Sequence, residues 1–469
     1  MNRREFFKLA AVGAATAALP GWRMTNAVSA SKKQTNIVLI MIDDLGWMDL
    51  NCQGNKRLDT PNIDRLASQG MRFTDAYAAA PVCSPTRAAI MTGQSPARLG
   101  ITNHLPDRKQ FQPDNAKLRS ARMLEHLPLA HVTLAERLKE AKYATAFLGK
   151  WHLSGRGTAK DGDLAEPKLR PEHQGFDVNV GGCGFGGPPS YFEPYRIPNI
   201  TPRREGEYLP DRLADEAIDF IRANLNGPFF VALWNYTVHW PMQAPQNLVE
   251  KYESRIGPGV KDARYAAMIE AMDAAIGRVI ATLEELKLAD DTLVIFTSDN
   301  GGFGGVSDCR PLRASKGYLY EGGIRVPLIV RWPGVVKPGS ICPTPVISTD
   351  FYPTLLEVAG LTPNEGKTLD GESIVPTFKQ TGRLKRKAIF FHYPNYAWHQ
   401  SNRLGGAIRE GDYKLIKWYD DESVELYNLA DDLSEKNDLS GKMPRKALDL
   451  KRKLEAWLTE SGAAMPEAI

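Results

Sequence analysis

The sequence predicts an α/β fold: a large, doubly wound, mixed but mostly parallel sheet with helices on both faces, followed by a smaller C-terminal α+β subdomain with an antiparallel sheet and a helix. Three observations carry that prediction. Unbroken apolar runs such as Asn36 to Ile42 suit strands buried on both faces. Such runs alternate with longer stretches of helical periodicity, the order that βαβ units require. From about Gln380 the pattern changes to short, closely spaced strand signals closed by one helical segment.

After the first strand, Thr60-Pro61 reads as a cap followed by proline in the first helical position, and Gly70 ends that helix. Ser84 to Thr92 reads as a helix with Pro85 in its first turn, and Thr133-Leu134-Ala135-Glu136 as a capping box that opens another. Further strands are expected at Ala144 to Leu148, Phe229 to Trp234, Leu293 to Thr297 and Val326 to Arg331, with a long helix over Asp262 to Leu286. In the C-terminal part, Ala388 to His392, Gly405 to Arg409, Tyr413 to Trp418 and Ser423 to Asn428 read as antiparallel strands on which a helix from Lys442 to Ser461 packs. There is no internal repeat. The expected division is a leader over residues 1–30, a main domain over 31–379 and the antiparallel subdomain over 380–469.

A chain of 469 residues with a formal net charge of +4 and interspersed signs carries no basic stripe of the nucleic-acid-binding kind. At its start, Arg3-Arg4 precede Phe6-Phe7-Lys8 and an Ala-rich run to Leu19, the layout of a twin-arginine export signal, with small residues near Ser29 and Ala30 for cleavage. A basic amphipathic surface helix is the plainer alternative. The run is too short for a stable membrane anchor, and no Cys follows it to carry lipid. The expected location is therefore periplasmic or secreted. Five cysteines are an odd number for an exported chain, which implies a free or modified thiol, assigned here to Cys83. Cys52, Cys183, Cys309 and Cys342 are either two disulfides in one of three pairings or simple buried thiols.

Ligands of open α/β sheets bind beyond the carboxyl ends of the strands. Directly after the first strand come Asp43 and Asp44; after Leu148 come Lys150 and His152; past Trp234 comes His239; after Thr297 come Asp299 and Asn300. Any one of these groups alone could cap a turn or sit on a solvated loop. Four strands delivering polar groups to one rim is the pattern of a site. The three carboxylates and one amide form an all-oxygen set for a hard cation, calcium or magnesium, whereas zinc would favour His or Cys. Cys83 falls at the positive end of the helix opened by Ser84, which suits a reactive thiol, although position alone favours a buried structural one.

Cys83-Ser84-Pro85-Thr86-Arg87 resembles the motif by which sulfatases direct oxidation of the cysteine to formylglycine. The similarity continues in family order through Ile42-Asp43-Asp44-Leu45-Gly46, Gly149-Lys150-Trp151-His152, His239-Trp240-Pro241, Ser298-Asp299-Asn300-Gly301-Gly302, Lys316-Gly317 and Glu321-Gly322-Gly323-Ile324-Arg325-Val326-Pro327. Gly411-Asp412-Tyr413-Lys414-Leu415 and Glu425-Leu426-Tyr427-Asn428-Leu429 extend it into the C-terminal region.

The resemblance implies a sulfuric ester hydrolase of the alkaline-phosphatase-like superfamily. Asp43, Asp44, Asp299 and Asn300 would ligate the metal with an oxygen of modified residue 83. Arg87 would steady the hydrated aldehyde, Lys150, His239 and Lys316 would contact the sulfate, and His152 would serve the aldehyde's second hydroxyl. Charge spreading over the sulfuryl oxygens in the transition state is what a metal ion, Lys and Arg aimed there would stabilise. The leaving alcohol needs a proton, for which His239 is the first candidate and Lys316 the second. The implied partners are a sulfated carbohydrate or aryl sulfate substrate, a formylglycine-generating enzyme and the twin-arginine export machinery.

His126, His131 and His173 lie in segments without other site markers. His104, His392, Trp398 and His399 are expected to line the substrate mouth, Trp398 as a sugar-stacking surface, or else to form a packed aromatic corner. The sequence admits two rival activities. A phosphodiester or phosphonate monoester hydrolase would use the same nucleophile and metal pocket, and a non-catalytic binder of sulfated glycans would result if Cys83 stayed a thiol. A two-zinc phosphatase would need more His and Asp ligands than these clusters supply.

Overall fold

Residues 34–155, 166–363, 366–399 and 401–469 are described by a computed structural model of the chain. The expected export signal lies outside the described residues. The main sheet has eight strands in the order Ser340–Cys342, Met71–Phe73, Leu328–Arg331, Thr292–Ser298, Asn36–Ile42, Phe229–Trp234, Ala144–Gly149 and Val178–Val180. Only Leu328–Arg331 runs antiparallel, against both of its neighbours. The sheet is mixed and mostly parallel, as the alternation of elements predicts.

Its two faces are legible in the central strand. Val38, Ile40 and Ile42 enter one core with the helices Leu209–Ala223 and Ala263–Glu285, while Ile37, Leu39 and Met41 enter another with the helices Cys83–Thr92, Leu134–Glu140 and Phe351–Val358. Because successive side chains of a strand point to opposite faces, an unbroken apolar run requires cover on both sides. The three-residue strands at 71–73, 178–180 and 340–342 escape sequence reading because they are too short to show a period. The strand expected from Val326 begins instead at Leu328, since Pro327 has no amide hydrogen for the ladder.

Capping differs in one place from the sequence expectation. Thr133 and Glu136 form their capping box as expected. Thr60 does not cap the helix Pro61–Gln69: its hydroxyl accepts from the Asn51 amide (3.0 Å) and donates to Asp64 Oδ1 (3.1 Å). The free amides of Asn62 (3.1 Å) and Ile63 (2.8 Å) are taken by the carboxylate of Asp273, from the middle of the helix Ala263–Glu285. A long-range cap of this kind has no local signature. Asp273→Ala is expected to cost about 1–2 kcal/mol of unfolding free energy in urea titration, the usual loss for a helix cap.

The C-terminal strands Ala388–Tyr393, Gly405–Glu410, Tyr413–Trp418 and Val424–Asn428 form an antiparallel sheet in sequence order. One face, with Ile389, Phe391, Ala407 and Ile416, packs on Val82, Ala89, Leu319 and Ile324 of the main body. The other, with Ile408, Leu415 and Leu426, packs on Leu450, Leu454 and Leu458 of the helix Pro444–Glu460. All five cysteines are free thiols, so the reading of Cys52, Cys183, Cys309 and Cys342 as two disulfides gives way to the thiol alternative. Among the described residues no helix is long and apolar enough to cross a membrane.

Candidate active site

Four neighbouring parallel strands end together, with Ile42 opposite Ser298, and Met41 and Gly149 both opposite Trp234. Their next residues therefore meet at one rim. Asp43 and Asp44 follow the central strand, Asp299 and Asn300 the strand on one side, and Lys150 and His152 the strand two places away on the other. Asp44 (φ 63°) and His152 (φ 57°) take the left-handed conformation, strain of the kind that collects at functional sites.

The helix Cys83–Thr92 brings residue 83 to this rim. Val82 is its extended cap residue and Cys83 its first helical residue, so the thiol lies at the amide end; Arg87, four residues on, shares its face. Ser84 Oγ donates to the carbonyl of His152 (3.0 Å) and accepts from the amide of Leu105 (3.1 Å), tying the helix start to two site segments. Lys316 arrives on the loop after Asn300, held by its amide on Gly302 O (2.9 Å) and by the Gly317 amide on Pro81 O (2.9 Å).

Buried ion pairs dominate the floor. Arg87 clamps Asp299 Oδ2 through Nε (3.0 Å) and Nη2 (2.7 Å) and donates to the carbonyl of Lys150 through Nη1. Lys150 Nζ lies on Asp43 Oδ2 (2.6 Å), and Lys316 Nζ on Asp44 Oδ2 (2.7 Å). Burial and the neighbouring carboxylates of Asp299 and Asp44 outweigh Lys150 and push the Asp43 carboxyl well up. Burial opposes ionisation of Asp44 too, but Lys316 and His239 hold its carboxyl well below the usual range. Burial pushes the Cys83 thiol up, so its sulfur is no spontaneous thiolate.

One oxygen each of Asp43 and Asp299 and the Cys83 sulfur lie within 4.8 Å of one another. The sulfur marks where an oxygen of a modified residue 83 would stand. Asp43 Oδ1 and Asn300 Oδ1 are buried without a hydrogen-bond partner. Buried acceptors left without donors are costly unless something electropositive meets them. An all-oxygen donor set with two orphaned oxygens fits a hard divalent cation.

The two rim histidines have defined faces. His152 Nε2 lies on the carbonyl of Leu105, which can only accept, so Nε2 carries the hydrogen and Nδ1 presents a lone pair to Cys83 Sγ (3.3 Å). Burial and the Lys150 charge keep that imidazole neutral by pushing its pKa well down. His239 Nδ1 likewise donates to Trp240 O (2.8 Å), leaving Nε2 facing Asp44 Oδ2 (3.8 Å). Burial and Lys316 push His239 down to about 3.

Above the floor opens a cavity of about 630 Å³ walled by Asp44, Cys83, His152, His239 and Lys316. Asp43, Asp299, Asn300, Arg87 and Lys150 sit beneath it, fully buried. Of the residues expected at the mouth, His104 and Trp398 line the cavity, with Trp398 under Lys316 Nζ (5.4 Å to the ring centre) and beside His104 (5.9 Å). His392 does not. Its strand faces it away from the opening, and both its nitrogens are engaged inside the C-terminal subdomain, with Tyr419 Oη (2.8 Å) and the Ala464 carbonyl (3.0 Å). His399 stacks on Tyr318 (4.1 Å) behind the wall.

Sequence reading missed Arg108, Phe111, Trp240 and Phe303 as wall residues, and the segment Gly186-Gly187-Pro188-Pro189. The last had a signal in its glycine density. A Cβ on Gly186 would come within 2.8 Å of the His152 ring and one on Gly187 within 2.7 Å of His239 Nδ1, so only glycine lets this wall close over both imidazoles.

Residues 35–361 match the protein-family model described as Sulfatase, and residues 314–462 match that described as N-sulphoglucosamine sulphohydrolase, C-terminal. A Formosa agariphila protein described as Sulfatase is 33% identical, over 92% of this chain and 90% of its own length. The N-acetylgalactosamine-6-sulfatase of Sus scrofa is 32% identical, over 91% of this chain and 81% of its own. Among solved structures, Ps i-CgsB in complex with k-i-k-neocarrahexaose superposes with a TM-score of 0.77 at 30% identity, covering 91% of this chain and 93% of that one.

Proposed function

We propose, on the premise that this chain belongs to the sulfatase family and is a sulfuric ester hydrolase, that it removes sulfate from fragments of a sulfated polysaccharide outside the cytoplasm. In this reading Cys83 is converted to formylglycine by a maturing enzyme, the cation is calcium with magnesium as the alternative, and the leader carries the chain through the twin-arginine route. The observation that carries the reading is the meeting of Asp43, Asp299 and Cys83 beneath a cavity walled by His152, His239 and Lys316. The sulfated-sugar substrate is supported by relatives that carry N-acetylgalactosamine-6-sulfatase in their names and by a structural neighbour bound to a neocarrahexaose.

Asp43, Asp44, Asp299 and Asn300 would hold the cation, which supplies Lewis-acid charge to a sulfate oxygen. Formylglycine at residue 83 supplies a hydrate with two hydroxyls on one carbon, one a nucleophile towards sulfur and the other a site for deprotonation. The side chains do the rest. Three carboxylates (Asp43, Asp44, Asp299) face three cations (Arg87, Lys150, Lys316), so the floor is balanced by itself and a divalent ion would give it the net positive charge that a sulfate ester needs. Lys316, on the cavity wall beside His239, would orient the outer sulfate oxygens, with Lys150 beside residue 83 from below. Arg87 holds Asp299 and the Lys150 backbone in place. His152, with its Nδ1 lone pair aimed at residue 83, is the base for the second hydroxyl. His239, the first candidate from the sequence, is a neutral imidazole here whose Nδ1–H is spent on Trp240 O, so proton delivery to the leaving alcohol falls to the Lys316 ammonium.

Rates of the exported protein on an aryl sulfate and on the matching aryl phosphate ester test the reading. Sulfate turnover should exceed phosphate turnover, and the mass of the peptide containing residue 83 should match the aldehyde. The reverse selectivity would favour a phosphoester hydrolase, and an unmodified thiol in native material would favour a binder. Stripping with a chelator is expected to remove activity and lower the thermal midpoint. Restoring calcium to a hundredfold excess over its Kd should return about 2.7 kcal/mol of stability in a melting assay.

A further inference from the structure

The cavity extends beyond the groups needed for one sulfate. On its outer wall Arg108 has no carboxylate partner among the described residues. Arg108 directly precedes the short turn Lys109–Phe111, which also places Phe111 against His104 (5.7 Å), and His104 in turn meets Trp398 (5.9 Å). An aromatic surface thus runs from Lys316, over the sulfate position, to Arg108. The same arginine lines a second, adjoining cavity of about 470 Å³ with Lys109, Arg119 and Arg122. Three acids share that lining: Glu467 pairs with Arg119 (3.7 Å), Asp107 accepts from Asn103 Nδ2 (3.2 Å), and Glu125 is the third, so the four cations exceed the acids by one. Lys109 and Arg122 have no ion pair among the described residues.

We infer that Arg108 recognises a second anionic group of the glycan, beyond the sulfate being cleaved, and makes the enzyme selective for oligosaccharides carrying several negative charges. A sugar lying along His104, Phe111 and Trp398 has one cation at each end. Lys109 and Arg122 continue the same track for a longer chain. The second group is a sulfate ester or a carboxylate, the shared chemistry being a planar or tetrahedral oxyanion that a guanidinium binds through two N–H groups. This inference rests on the cavity being the sulfate-ester site.

The test compares kcat/KM of the wild-type protein and of Arg108→Ala and Arg108→Lys on four substrates: an aryl sulfate, a singly sulfated disaccharide, the same disaccharide with a second sulfate, and one with a uronate carboxylate. The ratio of doubly to singly charged substrate should fall about 10- to 100-fold in R108A, mainly through KM, as for one lost charge-assisted hydrogen bond. R108K should recover part of it, and added salt should narrow the ratio in the wild type. The second sulfate and the uronate arms show which oxyanion is preferred. An unchanged ratio in R108A, or an equal loss on all four substrates, overturns the role of Arg108. Titration calorimetry of the doubly and singly sulfated disaccharides against both proteins reads the same selectivity without turnover. A wild type that cleaves no sulfate ester yet binds the doubly charged sugar through Arg108 would overturn the hydrolytic reading alone.

Discussion

Cys83→Ala is expected to lower kcat/KM for sulfate release by roughly 10⁴- to 10⁶-fold, the loss typical of removing a covalent nucleophile, with folding largely intact. The thiol supports little structure: its polar neighbour is His152 Nδ1 at 3.3 Å, and that imidazole keeps its own anchor on Leu105 O. Cys83→Ser sharpens the test. A serine carries one hydroxyl on its carbon, so attack on sulfur leaves an ester that its own oxygen cannot expel, and the expected product is protein bearing one sulfate. Intact-mass measurement after exposure to an aryl sulfate reads that adduct, while initial rates of C83A read the loss. Turnover of C83A near the wild-type rate would sink the assignment of residue 83.

Lys414→Ala should cause the largest loss of stability, about 3–5 kcal/mol by urea unfolding, the cost of removing one partner from a buried ion pair. Lys414 Nζ lies between Glu321 Oε1 (2.9 Å) and Glu435 Oε1 (2.8 Å), with all three side chains fully buried. Without it two carboxylates face each other in a medium that cannot screen them. The same cluster holds Glu321 through its amide on Glu435 Oε2 (2.7 Å), at the end of the loop that carries Lys316. A raised KM for aryl sulfate is therefore expected beside the lower midpoint. Lys414→Met with Glu435→Gln should recover part of the stability that Lys414→Met alone loses. If Lys414→Ala unfolds at the wild-type urea concentration, this cluster does not pin the C-terminal sheet to the body.

That cluster explains two motif segments that have no place in the chemistry. Glu321-Gly322-Gly323-Ile324-Arg325 and Gly411-Asp412-Tyr413-Lys414-Leu415 meet through Lys414–Glu321 (2.9 Å), a purely structural contact across 93 residues of chain, with Arg325 on Glu321 (3.0 Å) within the first segment. Glu435, the third member, lies outside any motif read from the sequence. His392 shows the opposite error. It sits near Trp398 in sequence, but its strand directs it inward to Tyr419.

By itself the sequence determined the parallel core, the two-faced burial of Asn36–Ile42 and the residues that meet at the rim, because strand period, strand ends and the Cys83–Arg87 spacing are local properties of the chain. The tertiary structure alone decided what required distant segments to touch. Asp273 caps a helix some 200 residues away, glycines 186 and 187 press on two imidazoles, and Lys414 ties the small sheet to the loop of Lys316. The wall of the cavity belongs to the same group, since it is assembled from loops whose composition is unconstrained by any period and whose position follows from the elements they join.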